Sequence, residues 1–336
     1  MTGRGDEVAP ERARHSPHRT ETRFATGLFI LLSLVPLVAS DYVVYILPQY
    51  AIYGLLAMSL GLLWGFVGIV SFGQAAFFAL GAYAFGLTMS APLTINPAYP
   101  GLLIAVAAGG LLAAATGYFL FSSGVKATYF VLITLALSII GEQIAVSQSQ
   151  ITGGYNGMFV ARMSLGLYKG GAPATDHALY FVVLVVVAAL YFLLHRLTRS
   201  PFGKVLAGIR GNEDRLTALG FEVRYYKTAA FALSGALAGL AGALYATDAG
   251  FVSPSLAGVL FSTEVVVWVA IGGRSSLLGA FVGALIVASL SNYLSAIMPD
   301  YWQLLLGLLF IVVVMFFKNG LAGSVLALGR FARRGP

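Results

Sequence analysis

Two carboxylates stand out because of their surroundings. Glu142 lies in IGEQI (140–144) and Glu264 in STEVVVW (262–268), each within an apolar run. A charged side chain at the centre of a lipid-spanning helix costs about 2.5–3.5 kcal/mol on insertion scales, so each calls for a partner or a wet cavity. Glu142 fits a structural role near an interface or a place on a path. Glu264, deeper in its run, fits helix pairing or a solute pathway. The polar stretch SQSQITGGYNG (147–157) follows Glu142; its glycines permit turns and its amides can bind polar solutes. The third candidate is the charged stretch Thr198–Lys227. In it Val205, Leu206, Ile209, Leu216 and Leu219 recur near helical spacing among Arg210, Glu213, Asp214 and Arg215. Asn212 is placed to cap a second helical segment and Gly220 to close it. Such an amphipathic element is a docking surface for a soluble partner or for the bilayer, with a solvated linker as the plain alternative.

Other chemistries lack their residues. The chain has no Cys, which removes disulfides, thiolate metal sites and cysteine nucleophiles. Of its four histidines, His15 and His18 lie in a polar tail, and neither His177 nor His195 has a second histidine or a carboxylate at metal-ligand spacing. With no Ser–His pair or ligand cluster at membrane depth, an intramembrane enzyme is excluded. No GxxxxGK[ST] motif occurs, since Gly203-Lys204 lacks the upstream glycine and the following hydroxyl. Any nucleotide energy must come from another polypeptide. The net charge of +7 and the isoelectric point near 9.6 are assigned to basic loops at one membrane face rather than to nucleic acid.

The elements that must position these residues follow from composition. Hydrophobic residues make up 59% of the 336 and charged residues 10%, with a mean hydropathy of +0.86; a soluble domain carries about 25% charged residues. Most of this surface faces something other than water, and lipid leaves an open strand edge without partners. The fold class is therefore an all-α polytopic membrane protein. Apolar runs fall at 24–40, 46–67, 71–90, 101–121, 127–147, 178–197, 228–247, 259–272, 276–297 and 302–317, giving ten expected spans. The short run 259–272 reads equally as a re-entrant or tilted half-span. Residues 1–23 read as a disordered tail, 24–317 as the membrane domain and 318–336 as a basic C-terminus. If both termini are cytoplasmic and the spans alternate, 18 of the 20 Lys and Arg residues lie inside and only Arg162 and Lys169 outside. That asymmetry is what the positive-inside rule asks for.

Glycine is abundant, at 40 residues. In lipid, helices associate by close packing, so the small-xxx-small pairs Gly235/Gly239 and Gly279/Gly283 read as contact faces. The polar, flexible stretch Gly272 to Ser276 reads as a break between two apolar runs.

Four stretches together resemble a known family. They are GFVGIVSFGQAAFFALGAY (65–83), TGGYNG (152–157), SPFGKVLAGIRGNEDRLTALG (200–220) and WVAIGGRSSLLG (268–279). In this order they are similar to the LivM-type permeases of branched-chain amino acid ATP-binding-cassette (ABC) importers. The resemblance ties most of residues 50–320 to that family and leaves the N-terminal tail outside it. It implies a ten-span permease of the bacterial cytoplasmic (inner) membrane, with no enzymatic activity and no cofactor or metal of its own. The implied partners are a second homologous permease, two ATP-binding subunits and an extracytoplasmic solute-binding protein. It further implies that the loop between spans six and seven, with Arg210, Asn212, Glu213, Asp214, Leu216, Ala218, Leu219 and Gly220, forms the coupling element against the ATPase. Ser71, Gln74, Thr152, Gly153, Gly154, Asn156 and Gly157 would lie near the solute path, with Glu142 and Glu264 as further candidates. Trp64-Gly65 and the stretch from Glu264 to Arg274 are similar also to urea and short-amide permeases of the same family, which leaves the solute open. A stand-alone secondary transporter or channel is the alternative of another class, with Glu142 and Glu264 as its ion sites.

Overall fold

The computed structural model describes residues 17–302 apart from 93, 126, 167, 169 and 275, together with 304, 305, 307, 308, 311 and 315. Residues 1–16 of the expected tail, most of the expected tenth span and the basic C-terminus lie outside the described residues, as do Lys126 and Lys169. Nine of the ten apolar runs coincide with long helices. In chain order the helices are α1 (Pro17–Val38), α2 (Asp41–Leu62), α3 (Gln74–Ser90), α4 (Ala98–Ser122), α5 (Ala127–Ser147), the single turn α6 (Ser149–Thr152), α7 (Asp176–Arg199), α8 (Pro201–Gly211), α9 (Glu213–Ala218), α10 (Val223–Ala249), α11 (Val259–Gly272) and α12 (Leu277–Ile297). A two-residue antiparallel ladder pairs β1 (Met158–Phe159) with β2 (Phe251–Val252).

Seven of these helices are long and apolar enough to cross a membrane. Two others are shorter. α3 has 17 residues and α11 has 14, rises of about 26 and 21 Å against a hydrocarbon core of about 30 Å. Within the expected span 71–90, residues 71–73 are not helical and α3 forms the rest. α11 occupies the whole of the short run 259–272.

α1 starts at Pro17, inside the stretch expected to be tail. Its first turns are polar yet tied down: Ser276 Oγ donates to Glu21 Oε1 at 2.7 Å, and Thr22 Oγ1 lies 2.9 Å from His195 Nε2. Further along, Pro36 has no N–H to offer the carbonyl of Leu32, and the Tyr180 hydroxyl of α7 donates to that carbonyl instead.

The core is built on α2 and α10, which are buried along most of their length. α4 buries a narrow stripe of Gly101, Ala105, Gly109, Ala113 and Gly117, spaced every fourth residue. The middle of that stripe lies on Gly235 and Gly239 of α10, so close that a Cβ on Gly109, Gly235 or Gly239 would strike the opposing backbone or Cβ, while Gly101 and Gly117 make room for the rings of Phe85 and Phe231. Three residues on along α10, Gly242 abuts the Phe78 carbonyl of α3. Gly283 of α12 sits against Gly272 of α11 in the same way. Both small-residue pairs read from the sequence are thus helix contacts.

Candidate functional site

Between α2 and α3 the chain runs through the bundle without helical structure. α2 ends in a single π-helical turn, Leu63–Val67, closed by Gly68 at φ +84°. Residues 68–73 follow as irregular backbone, which at membrane depth is tolerated only where other groups satisfy it. Three hydroxyls do so. Phe72 N–H donates to Thr134 Oγ1 at 3.1 Å, and the Phe72 carbonyl accepts from Ser138 Oγ at 2.6 Å and from Ser262 Oγ at 2.5 Å. Thr134 and Ser138 belong to α5 and Ser262 to α11. Eleven residues separate Ser138 from the start of α5, a rise of about 16 Å, which puts Phe72 near mid-depth.

Ser71 and Gln74, expected near a solute path, serve this break from within. Ser71 Oγ accepts from Gly73 N–H at 3.1 Å. Gln74 closes a sealed ring across three helices: its Oε1 accepts from Ser59, its Nε2 donates to Ser234, and Ser234 donates to the Ser59 carbonyl. At 1% exposure, Gln74 is out of reach of a solute in this conformation.

The loop after α7 takes the helix–cap–helix form its sequence suggested. Asn212 Oδ1 accepts from Arg215 N–H at 2.9 Å and caps α9. Gly220, at φ +88°, ends it: Gly220 N–H bonds the Thr217 carbonyl and Phe221 N–H the Leu216 carbonyl, the paired closure of a Schellman motif. The outward-facing residues differ from expectation. Ile209 and Leu206 are buried in this chain's own core, because an amphipathic helix lays its apolar stripe on the nearest apolar surface. Leu216 packs over Gly208. Glu213, expected in the coupling element, is held by Lys227 through both carboxylate oxygens at 2.6 and 2.7 Å. Arg210 is exposed along part of its length, yet its Nη1 donates to the Gly65 carbonyl. Residues 210–215 and 217–221 are all exposed to some degree, with Asp214, Arg215, Ala218, Leu219 and Phe221 among them and Leu219 at 68%.

At the opposite end of the bundle, TGGYNG is a tight turn. Gly153, Gly154 and Gly157 all have positive φ, and their N–H groups bond the Ser149 carbonyl, Thr152 Oγ1 and the Gly154 carbonyl. Thr152 donates to the Ala145 and Gln148 carbonyls. Only the side chains of Tyr155 and Asn156 project freely.

The two carboxylates separate. Glu142 Oε2 lies against Gly258, the residue capping the N-terminus of α11, where the helix dipole favours negative charge. Glu264 is half-buried on the exposed face of α11 that carries Leu260 and Thr263. Among the described residues neither takes part in an ion pair. Sequence reasoning missed Thr134, Ser138, Ser262, Ser59 and Ser234. The four-residue spacing of Thr134 and Ser138 was the one visible signal, and it needed a facing element to acquire meaning.

The family described as branched-chain amino acid transport system / permease component matches residues 42–314. The chain is 29% identical to the high-affinity branched-chain amino acid transport system permease protein LivM of Escherichia coli, over 89% of this chain and 74% of that one. It is 26% identical to the ribose import permease protein RbsC of Haemophilus influenzae, over 89% and 93%. A shorter match, 36% identical over 36% of this chain and 34% of the relative, is to the xylose transport system permease protein XylH of the same species. No solved structure matches the chain.

Proposed function

This chain belongs to the family of branched-chain amino acid transport permease components, and from that premise we propose that it is a membrane-spanning subunit of an ABC importer for a branched-chain amino acid. As a family member with seven helices apt to cross lipid, it is an integral multi-pass membrane protein. It works in the bacterial cytoplasmic membrane beside a second, homologous permease. A solute-binding protein delivers the solute outside, and two ATP-binding subunits drive its passage from the cytoplasm. The observation that carries this reading is the match to the family over residues 42–314.

The geometry supports a division of labour. The α8–α9 end faces the cytoplasm, in keeping with the basic residues there: Arg196, Arg199, Lys204, Arg210, Arg215, Arg224 and Lys227. Asp214, Ala218, Leu219 and Phe221 form the face offered to an ATP-binding subunit, while Arg210, Asn212, Glu213, Leu216 and Gly220 give the loop its shape. Glu264 lies on the exposed face of α11 beside Leu260 and Thr263, where lipid would be a poor neighbour. It borders the solute path beside the second permease, with the TGGYNG turn at the outer mouth. Relatives named for ribose and xylose import make a sugar the competing solute.

Proteoliposomes containing the chain, its partner permease, the ATP-binding subunits and the solute-binding protein test this. ATP-dependent uptake of radiolabelled leucine, isoleucine or valine is expected, with ribose, xylose and urea failing to compete. Competition by a pentose would move the solute class to sugars. Uptake by the chain alone, driven by an ion gradient, would overturn the importer reading.

A further inference from the structure

We infer that Arg210 is a positioning residue linking the cytoplasmic loop to the irregular segment at mid-membrane, so that displacement of α8 shifts residues 68–72; this rests on the ATP-driven reading above. α8 is seated rigidly, with Leu206 and Ile209 buried beneath it. From its last turn Arg210 donates to the Gly65 carbonyl, inside the π-helical turn that ends α2. A planar guanidinium with several donors suits such a carbonyl. The stem of the same side chain covers Gly68, where a Cβ would stand 2.8 Å from Arg210 Cγ. Gly68 is therefore constrained twice, by φ +84° and by the arginine lying on it.

The other side of Gly65 touches the backbone carbonyl of Arg274, in the break between α11 and α12. Arg210 thus grips one end of the segment where two helix interruptions meet. The far end, Phe72, is held by Thr134, Ser138 and Ser262. Four residues separate Gly68 from Phe72, and extended chain covers at most about 14 Å over that length, roughly half the hydrocarbon core. Gly68 and Ile69 N–H both bond the Leu63 carbonyl at the end of α2; beyond them the stretch has no helical ladder and follows its two tethers. A pull on the cytoplasmic tether loads the hydroxyl bonds at Phe72, which join α5 to α11.

The absence of cysteine makes the test direct. Single cysteines are placed at Val70, in the segment, and at Leu219, on the exposed loop, and maleimide labelling is read on this chain in the assembled importer with and without Mg-ATP and vanadate. In the otherwise native chain, labelling at both positions is expected to change on trapping. With Arg210→Ala the response at 219 should persist and the response at 70 should vanish, while the ATP-binding subunits still copurify; Arg210→Lys should restore part of it. A response at 70 that survives Arg210→Ala overturns the inference. Loss at both positions also overturns it, because Arg210 would then act on loop docking alone. No response at either position in the native chain would instead overturn the ATP-driven reading, and this linkage with it.

Discussion

The seam between α4 and α10 and the break between α2 and α3 both bring backbone against backbone inside an apolar bundle, by opposite means. In the seam every helical carbonyl has its partner within its own helix, so glycine and alanine alone suffice and the axes close until Gly109 meets Gly235 and Gly239. In the break Phe72 has no ladder, so its N–H and carbonyl borrow hydroxyls from two other helices. The seam has one close-packed arrangement. The break is held by bonds that can exchange, since Ser138 and Ser262 share one carbonyl and also lie 3.0 Å from each other. The seam reads as scaffold and the break as the adjustable part.

The strongest way to break this comparison is to load the seam. Gly239→Leu would drive a side chain into the Ala105 carbonyl of α4, and overpacking on this scale costs about 3 kcal/mol or more. The expected outcome is loss of monodisperse protein in detergent and a marked drop in thermal midpoint. An unchanged midpoint would remove the claim that the seam is rigid.

The break should respond more gently and non-additively. Ser138→Ala or Ser262→Ala alone leaves the Phe72 carbonyl one donor, so each should cost about 1 kcal/mol or less. The double variant orphans the carbonyl and should cost about 1–3 kcal/mol, more than the two singles together. Thermal midpoints of the four proteins measure this. Strict additivity would mean that the two serines do not share a function.

Next comes the loop. Glu213→Ala leaves the 9%-exposed Lys227 without its carboxylate, and the half-exposed Glu213 limits the loss to about 1 kcal/mol. α9 should loosen from α10, seen as faster tryptic cleavage after Arg215; an unaltered digestion rate would show that the pair does not hold the loop. The smallest effect on folding belongs to Leu219→Asp, within about 0.5 kcal/mol at so exposed a site. Copurification of the ATP-binding subunits should nevertheless fall, and full retention would mean that this face is not the coupling surface.

Much of the architecture was legible in the amino-acid pattern. Nine apolar runs coincide with helices, the Gly235/Gly239 and Gly279/Gly283 pairs are contacts, and Asn212 and Gly220 cap and end α9. Each depends on interactions within a few residues or on composition over one helix. The candidate site was less legible. Ile209 looked like a partner-facing residue, because helical spacing identifies an apolar stripe without naming what covers it. Glu213 looked available because Lys227, 14 residues on, lies beyond the reach of any helical pairing rule. Gln74 looked open to a solute because Ser234, 160 residues away, is no neighbour in sequence.

By itself, then, the sequence determined the solvent of this protein, the rough extent of nine described helices, the caps of its charged loop and the small faces along which helices close. Those follow from local forces: hydrophobicity summed over about 20 residues, backbone preferences of single glycines and side chains reaching the nearest free N–H. Only the tertiary structure decided which backbone groups at mid-depth lack a partner and which hydroxyls supply one. It also decided that Arg210 reaches Gly65, 145 residues away. An irregular backbone group in lipid must be satisfied by whatever is adjacent in space, and adjacency between distant segments is set by how the whole bundle packs.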